Sequence, residues 1–65
     1  MEQKQGHQLT EENKNDLIRL KQYFPYRIVF GVIMPDGKFD TYADNTKHKM
    51  NKFLRLGYPV FQANQ

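Results

Sequence analysis

The run Tyr26-Arg27-Ile28-Val29-Phe30-Gly31-Val32-Ile33-Met34 sets the terms for anything this chain builds. Its residues are largely β-branched and aromatic, which favours an extended strand. One face of that strand carries Tyr26, Ile28, Phe30, Val32 and Met34, all apolar. The other carries Arg27, Val29, Gly31 and Ile33. A strand with apolar residues on both faces belongs in the middle of a sheet. Pro35-Asp36-Gly37 then marks a turn, since Gly37 takes positive φ at no steric cost. The alternating segment Lys38-Phe39-Asp40-Thr41-Tyr42-Ala43 reads as the returning strand of a hairpin.

Helical spacing surrounds this hairpin. Thr10 suits an N-cap, and Glu11 and Glu12 place negative charge in a first turn, where the helix dipole favours it. Leu17, Leu20 and Phe24 recur on one side, with Ile18 flanking them, and Pro25 ends the helix near Tyr23. A second helix is expected from a cap at Asp44 or Asn45 to Leu56, stopped by Gly57. Its core side is Met50, Phe53 and Leu54. The last apolar segment, Tyr58 to Phe61, reads as a strand, and Pro59 places it at an edge.

These elements predict one small α+β domain of order α-β-β-α-β. A helix of about 12 residues rises roughly 18 Å, close to one strand length, so the chain returns to where the second strand began. The third strand then runs parallel to the second with the first between them. The expectation is a three-stranded mixed sheet of order 2-1-3, with both helices on the all-apolar face of the first strand. Residues 9–62 form the domain, and the polar segments 1–8 and 63–65 are read as flexible ends.

At 65 residues such a core is small, since a chain of this size buries only about 60% of its unfolded surface. There is no cysteine, so no disulfide braces it, and two histidines are too few for a structural zinc site. No metal or cofactor is expected. No segment reaches the ~20 apolar residues of a membrane span, and Met1 to Gln5 lacks the apolar stretch of a signal peptide. The expected setting is cytoplasmic.

Chemistry is poorly provided for. Serine is absent, which leaves Thr10, Thr41, Thr46 and the tyrosines as hydroxyl nucleophiles. His7 lies in the N-terminal tail and His48 among lysines on a polar helix side. Asp36, Asp40 and Asp44 are spaced by four, but across a hairpin, so they point in different directions. The glycines are isolated and form no phosphate loop. The chain is therefore read as a non-enzyme.

Two surfaces remain as candidates. The formal net charge is +3, and its excess is local. Residues 1–40 balance, whereas Lys47, Lys49, Lys52 and Arg55 face only Asp44 in the remainder. Lys47, His48, Asn51, Lys52 and Arg55 make a strip suited to an anionic partner such as the phosphates of a nucleic acid, with Asn51 able to reach a base edge. The second surface is the sheet. If both helices cover one face, Arg27, Val29, Ile33 and Tyr42 belong to an open, apolar, aromatic-rimmed patch suited to a larger protein partner or a second copy, with the second strand offering an unpaired edge. The alternative is that the first helix crosses to cover this face and leaves no patch. A stacking role for strand aromatics, as in RNA-recognition modules, is weakened by the faint match of Phe30-Gly31-Val32 to their motif, and Phe30 falls on the covered face.

No motif matches a family closely enough to transfer residues. In size and style, a cysteine-free α+β domain with polar ends resembles the accessory proteins of phages and plasmids. That resemblance implies an inhibitor or adaptor that binds a larger protein. The leading expectation is accordingly a protein-binding module acting through sheet face and edge. The alternative is a nucleic-acid-binding module using the basic second helix.

Overall fold

The computed structural model describes residues 9–63, so the segment 1–8 read as a tail lies outside the described residues, as do 64 and 65. The chain runs α1 (Glu11–Tyr23), β1 (Ile28–Ile33), β2 (Phe39–Asp44), α2 (His48–Leu56) and β3 (Val60–Ala63). Each element begins or ends for a local reason. Thr10 holds extended geometry and its hydroxyl oxygen accepts the Asn13 N–H at 3.0 Å, which caps α1 beside Glu11 and Glu12. Between β1 and β2, the Gly37 N–H returns to the Met34 carbonyl at 2.8 Å, and Gly37 sits at φ 91°. A turn followed by one left-handed residue is a common three-residue hairpin connection. The Asp36 carboxylate locks it by accepting the Lys38 N–H at 3.0 Å. At the end of α2, Gly57 is left-handed at φ 84°, and the N–H groups of Gly57 and Tyr58 satisfy the carbonyls of Leu54 and Phe53.

The sheet order is β2-β1-β3, with β1 central. Phe30 stands opposite Tyr42 on β2 and opposite Gln62 on β3. Both pairings are antiparallel. The strand directions are those expected, but the sheet is not mixed: β2 and β3 run parallel to each other without touching, because β1 separates them. Ala63, assigned by sequence to the flexible end, pairs with Val29.

The helices depart from the expected arrangement. Cross-strand partners share a face, so one face carries Ile28, Phe30 and Val32 with Tyr42 and Val60, and the other carries Val29, Gly31 and Ile33 with Ala43, Phe39, Phe61 and Ala63. α2 covers the first. Its Phe53 ring lies 6.3 Å from Phe30, 5.7 Å from Tyr42 and 5.8 Å from Tyr58, centroid to centroid. α1 covers the second, where Leu17 and Ile18 line a depression with Phe61 and Ala63. The sheet is therefore sandwiched, one helix to each side. Val29, Phe30 and Val32 are each 0% exposed as a result, on opposite faces of one strand. The physical reason is the double apolarity of β1: a single helical layer would have left Val29 wet. The small partners Ala43 and Ala63 beside Val29 leave room for α1 to approach.

Candidate functional site

The structure disperses the predicted sheet patch. Val29 is wholly buried beneath α1. Ile33 is half-buried near the hairpin turn. Tyr42 lies on the opposite face, stacked on Phe30 at 5.2 Å between centroids and 25° between planes. Arg27 is exposed, but its guanidinium is occupied, lying 5.3 Å from the Phe24 ring centroid and donating to the Ala43 carbonyl at 3.4 Å. These four residues share no surface, and the open face expected by sequence is covered.

The basic strip, by contrast, is intact. Lys47, His48, Asn51, Lys52 and Arg55 are all exposed. The spacing of three and four places His48, Asn51, Lys52 and Arg55 on the outer side of α2, opposite buried Met50. The helix begins later than expected. Asp44 is still in β2, opposite Ile28, and Lys47 occupies the cap position without a side-chain hydrogen bond. The Thr46 hydroxyl oxygen accepts the His48 N–H at 3.4 Å. The first turn of α2 holds no acidic residue, while Lys47, His48 and Lys49 crowd it. Cations at a helix N-terminus oppose the dipole, typically by a few tenths of a kcal/mol each. The sequence thus accepts a local electrostatic conflict at this end of α2.

Lys49 and Phe53 extend the strip into a site. Four residues apart, they project from the same side of α2 toward β2. The Lys49 ammonium lies 4.8 Å from the Tyr42 ring centroid. Tyr42, His48, Lys49, Lys52 and Phe53 line one open groove of about 470 Å³. Spacing alone puts Lys49 on the flank of the helix, and no periodicity links it to Tyr42, which precedes it by only seven residues but sits on a strand and meets it because α2 folds back over this face. Leu54, assigned to the core, is 52% exposed, rotated out by the contact that seats Phe53. Asp40 and Asp44 flank Tyr42 on β2, two residues to either side. Among the described residues, the one ion pair within 4 Å joins Arg19 to Asp16 on α1, so neither aspartate forms a close pair with the α2 cations.

Among the described residues, no three His, Cys, Asp or Glu side chains converge as a metal site would require. Among the same residues, no helix is long and apolar enough to cross a membrane. Comparison with protein-family models, with curated proteins and with solved structures finds no match.

Proposed function

We propose that this chain is a non-enzymatic binding module that holds single-stranded nucleic acid along α2. The observation that supports this reading is the groove itself. Lys49 and Lys52, with His48, line one side of the Tyr42–Phe53 aromatic surface on a helix that bears no acid, with Asp40 and Asp44 on the strand beside Tyr42. Phosphates would neutralise Lys47, Lys49, Lys52 and Arg55, and at Lys47 and Lys49 would also relieve the conflict between cations and the N-terminal end of the helix dipole. A base would stack against the Tyr42 and Phe53 rings once Lys49 moved aside or lay over it. Such binding tolerates sequence variation, because every base has a π-face and every backbone the same charge.

The test is fluorescence anisotropy with a labelled 15-nucleotide mixed-sequence DNA strand, its RNA counterpart and the matching duplex. Single strands should bind at 50 mM salt, with log affinity falling against log salt by about 0.7 per phosphate neutralised. Lys49→Ala with Lys52→Ala should weaken binding at least about tenfold and flatten that slope by about 1.4 units. Absence of binding at 50 mM salt, or a double variant that binds like the parent, sinks this reading.

A second reading, a protein-docking inhibitor or adaptor, is supported by a different feature. The end of α1 exposes Tyr23 at 73%, and the turn after it exposes Phe24 at 39% and Tyr26 at 97%. Such a partner would engage this turn and a sheet edge rather than the sheet face.

A further inference from the structure

We propose that two copies of this chain pair antiparallel through the free edge of β2, in one register centred on Thr41, to form a continuous six-stranded sheet. The inference stands apart from the nucleic-acid reading, since it uses a different surface.

Backbone direction identifies the free groups. Met34 donates to the Lys38 carbonyl at 2.8 Å, which makes Met34 and Lys38 a hydrogen-bonded pair across the hairpin. Antiparallel ladders alternate, so Asp40, Tyr42 and Asp44 also turn their N–H and C=O groups toward β1. On the other side of β1, Ile33 donates to the Pro59 carbonyl at 3.1 Å, in keeping with the same alternation. Phe39, Thr41 and Ala43 therefore direct their backbone groups away from the sheet. The Arg27 contact with the Ala43 carbonyl agrees with this, and it leaves that oxygen a second lone pair. Among the described residues no strand pairs with this edge of β2, and such an edge is a template for another strand.

Charge selects the partner and the register. A two-fold pairing must match outward residues with outward residues, which leaves few choices. Shifting the centre to Asp40 sets Asp40 against its own copy. Shifting it to Tyr42 sets Asp40 against Asp44 twice. Like charges directly opposite destabilise a strand pair. Centring on Phe39 or Ala43 shortens the overlap. Centring on Thr41 pairs all of Lys38 to Asp44, with Lys38 opposite Asp44 of the second copy at both ends. Phe39 then meets Ala43, Asp40 meets Tyr42, and the exposed Thr41 meets itself. A second copy of β2 is the complement of β2. The two-fold axis stands perpendicular to the sheet, so both α2 helices fall on the same face. Pairing by one strand buries less than a standard interface, so the dimer is weak and concentration-dependent.

The experiment is sedimentation equilibrium on the full chain over a range from 10 µM to 1 mM, with circular dichroism to confirm folding. The parent should associate to a dimer as concentration rises. Lys38→Glu and Asp44→Lys each place like charges opposite at two points and should weaken the dimer about tenfold. An equimolar mixture of the two variants restores opposite charges at both ends and should dimerise as a heterodimer. Thr41→Pro removes an outward N–H that β1 does not use, and should leave a folded monomer. A parent that stays monomeric at 1 mM overturns the proposal. So does a dimer indifferent to both reversals, or variants that fail to recover on mixing.

Discussion

Gly31 offers the sharpest test of how this small core is assembled. It sits in the middle of the central strand, where glycine costs roughly 0.5–1 kcal/mol relative to alanine, so it needs a packing reason. The structure supplies one in the Phe39 ring, which crosses diagonally from β2 to lie over Gly31. A Cβ built there would stand 2.2 Å from Phe39 Cζ and 2.7 Å from Cε1. Comfortable carbon–carbon separation is about 3.5–4.0 Å, so Gly31→Ala must displace the ring by about 1.5 Å. Overpacking of this kind costs about 1–3 kcal/mol, which the gain in strand propensity only partly offsets. A net loss of about 1–2 kcal/mol is a large share of the roughly 3–10 kcal/mol expected for 65 residues. It should lower Tm by about 5–15 °C in a domain of this size.

Attribution to the ring requires a second background. Phe39→Val keeps a β-branched apolar residue on β2 but is too short to reach across to Gly31. In Phe39→Val, adding Gly31→Ala should be neutral or stabilising by up to about 1 kcal/mol. Urea denaturation of the four proteins, followed by circular dichroism, completes the cycle. The coupling should amount to about 1–3 kcal/mol. If Gly31→Ala costs the same in both backgrounds to within about 0.5 kcal/mol, the ring is not what excludes a side chain at position 31.

Two further substitutions probe the remaining supports. Thr10→Ala removes the oxygen that accepts the Asn13 N–H and should lower stability by about 1 kcal/mol in thermal unfolding, whereas Thr10→Asp should not. Val29→Asp buries a carboxylate between β1 and α1 and should abolish the cooperative transition in circular dichroism; a folded variant that exposes this residue would show that α1 does not cover the face.

Much of this architecture was legible in the sequence because it is written locally. Thr10, Pro25, Gly37 and Gly57 each punctuate an element by their own backbone chemistry, and α1 falls close to its expected bounds. The central place of β1 followed from its two apolar faces. The side taken by each helix was not written locally. It depends on which crossing buries more, and the deciding detail lies in residues far apart in sequence. Ala43 and Ala63, brought to either side of Val29, open the space that α1 fills. α2 starts later than its local cap chemistry suggests for a related reason. Asp44 has the chemistry of a cap, yet its pairing with Ile28 extends β2 and draws it into the sheet, so tertiary pairing overrides the local preference.

The sandwich also decides which surface is left to act. With both helices on one side, the apolar strand face would have been the natural docking surface and α2 one of two covering layers. With a helix on each side, the sheet has spent its faces on stability and retains only its edges. The charged side of α2 then has nothing to pack against, while its inner side is seated by an aromatic row, Phe30–Tyr42–Phe53–Tyr58, whose ring centroids lie 5.2–5.8 Å apart in succession. Each such pair adds about 0.5–1.5 kcal/mol beyond burial. Those rings seat α2 and bring Lys49 over Tyr42, so the contacts that complete the core also build the groove. Variants that loosen Phe53 should therefore lose stability and ligand binding together, while Lys52→Ala should lose binding alone.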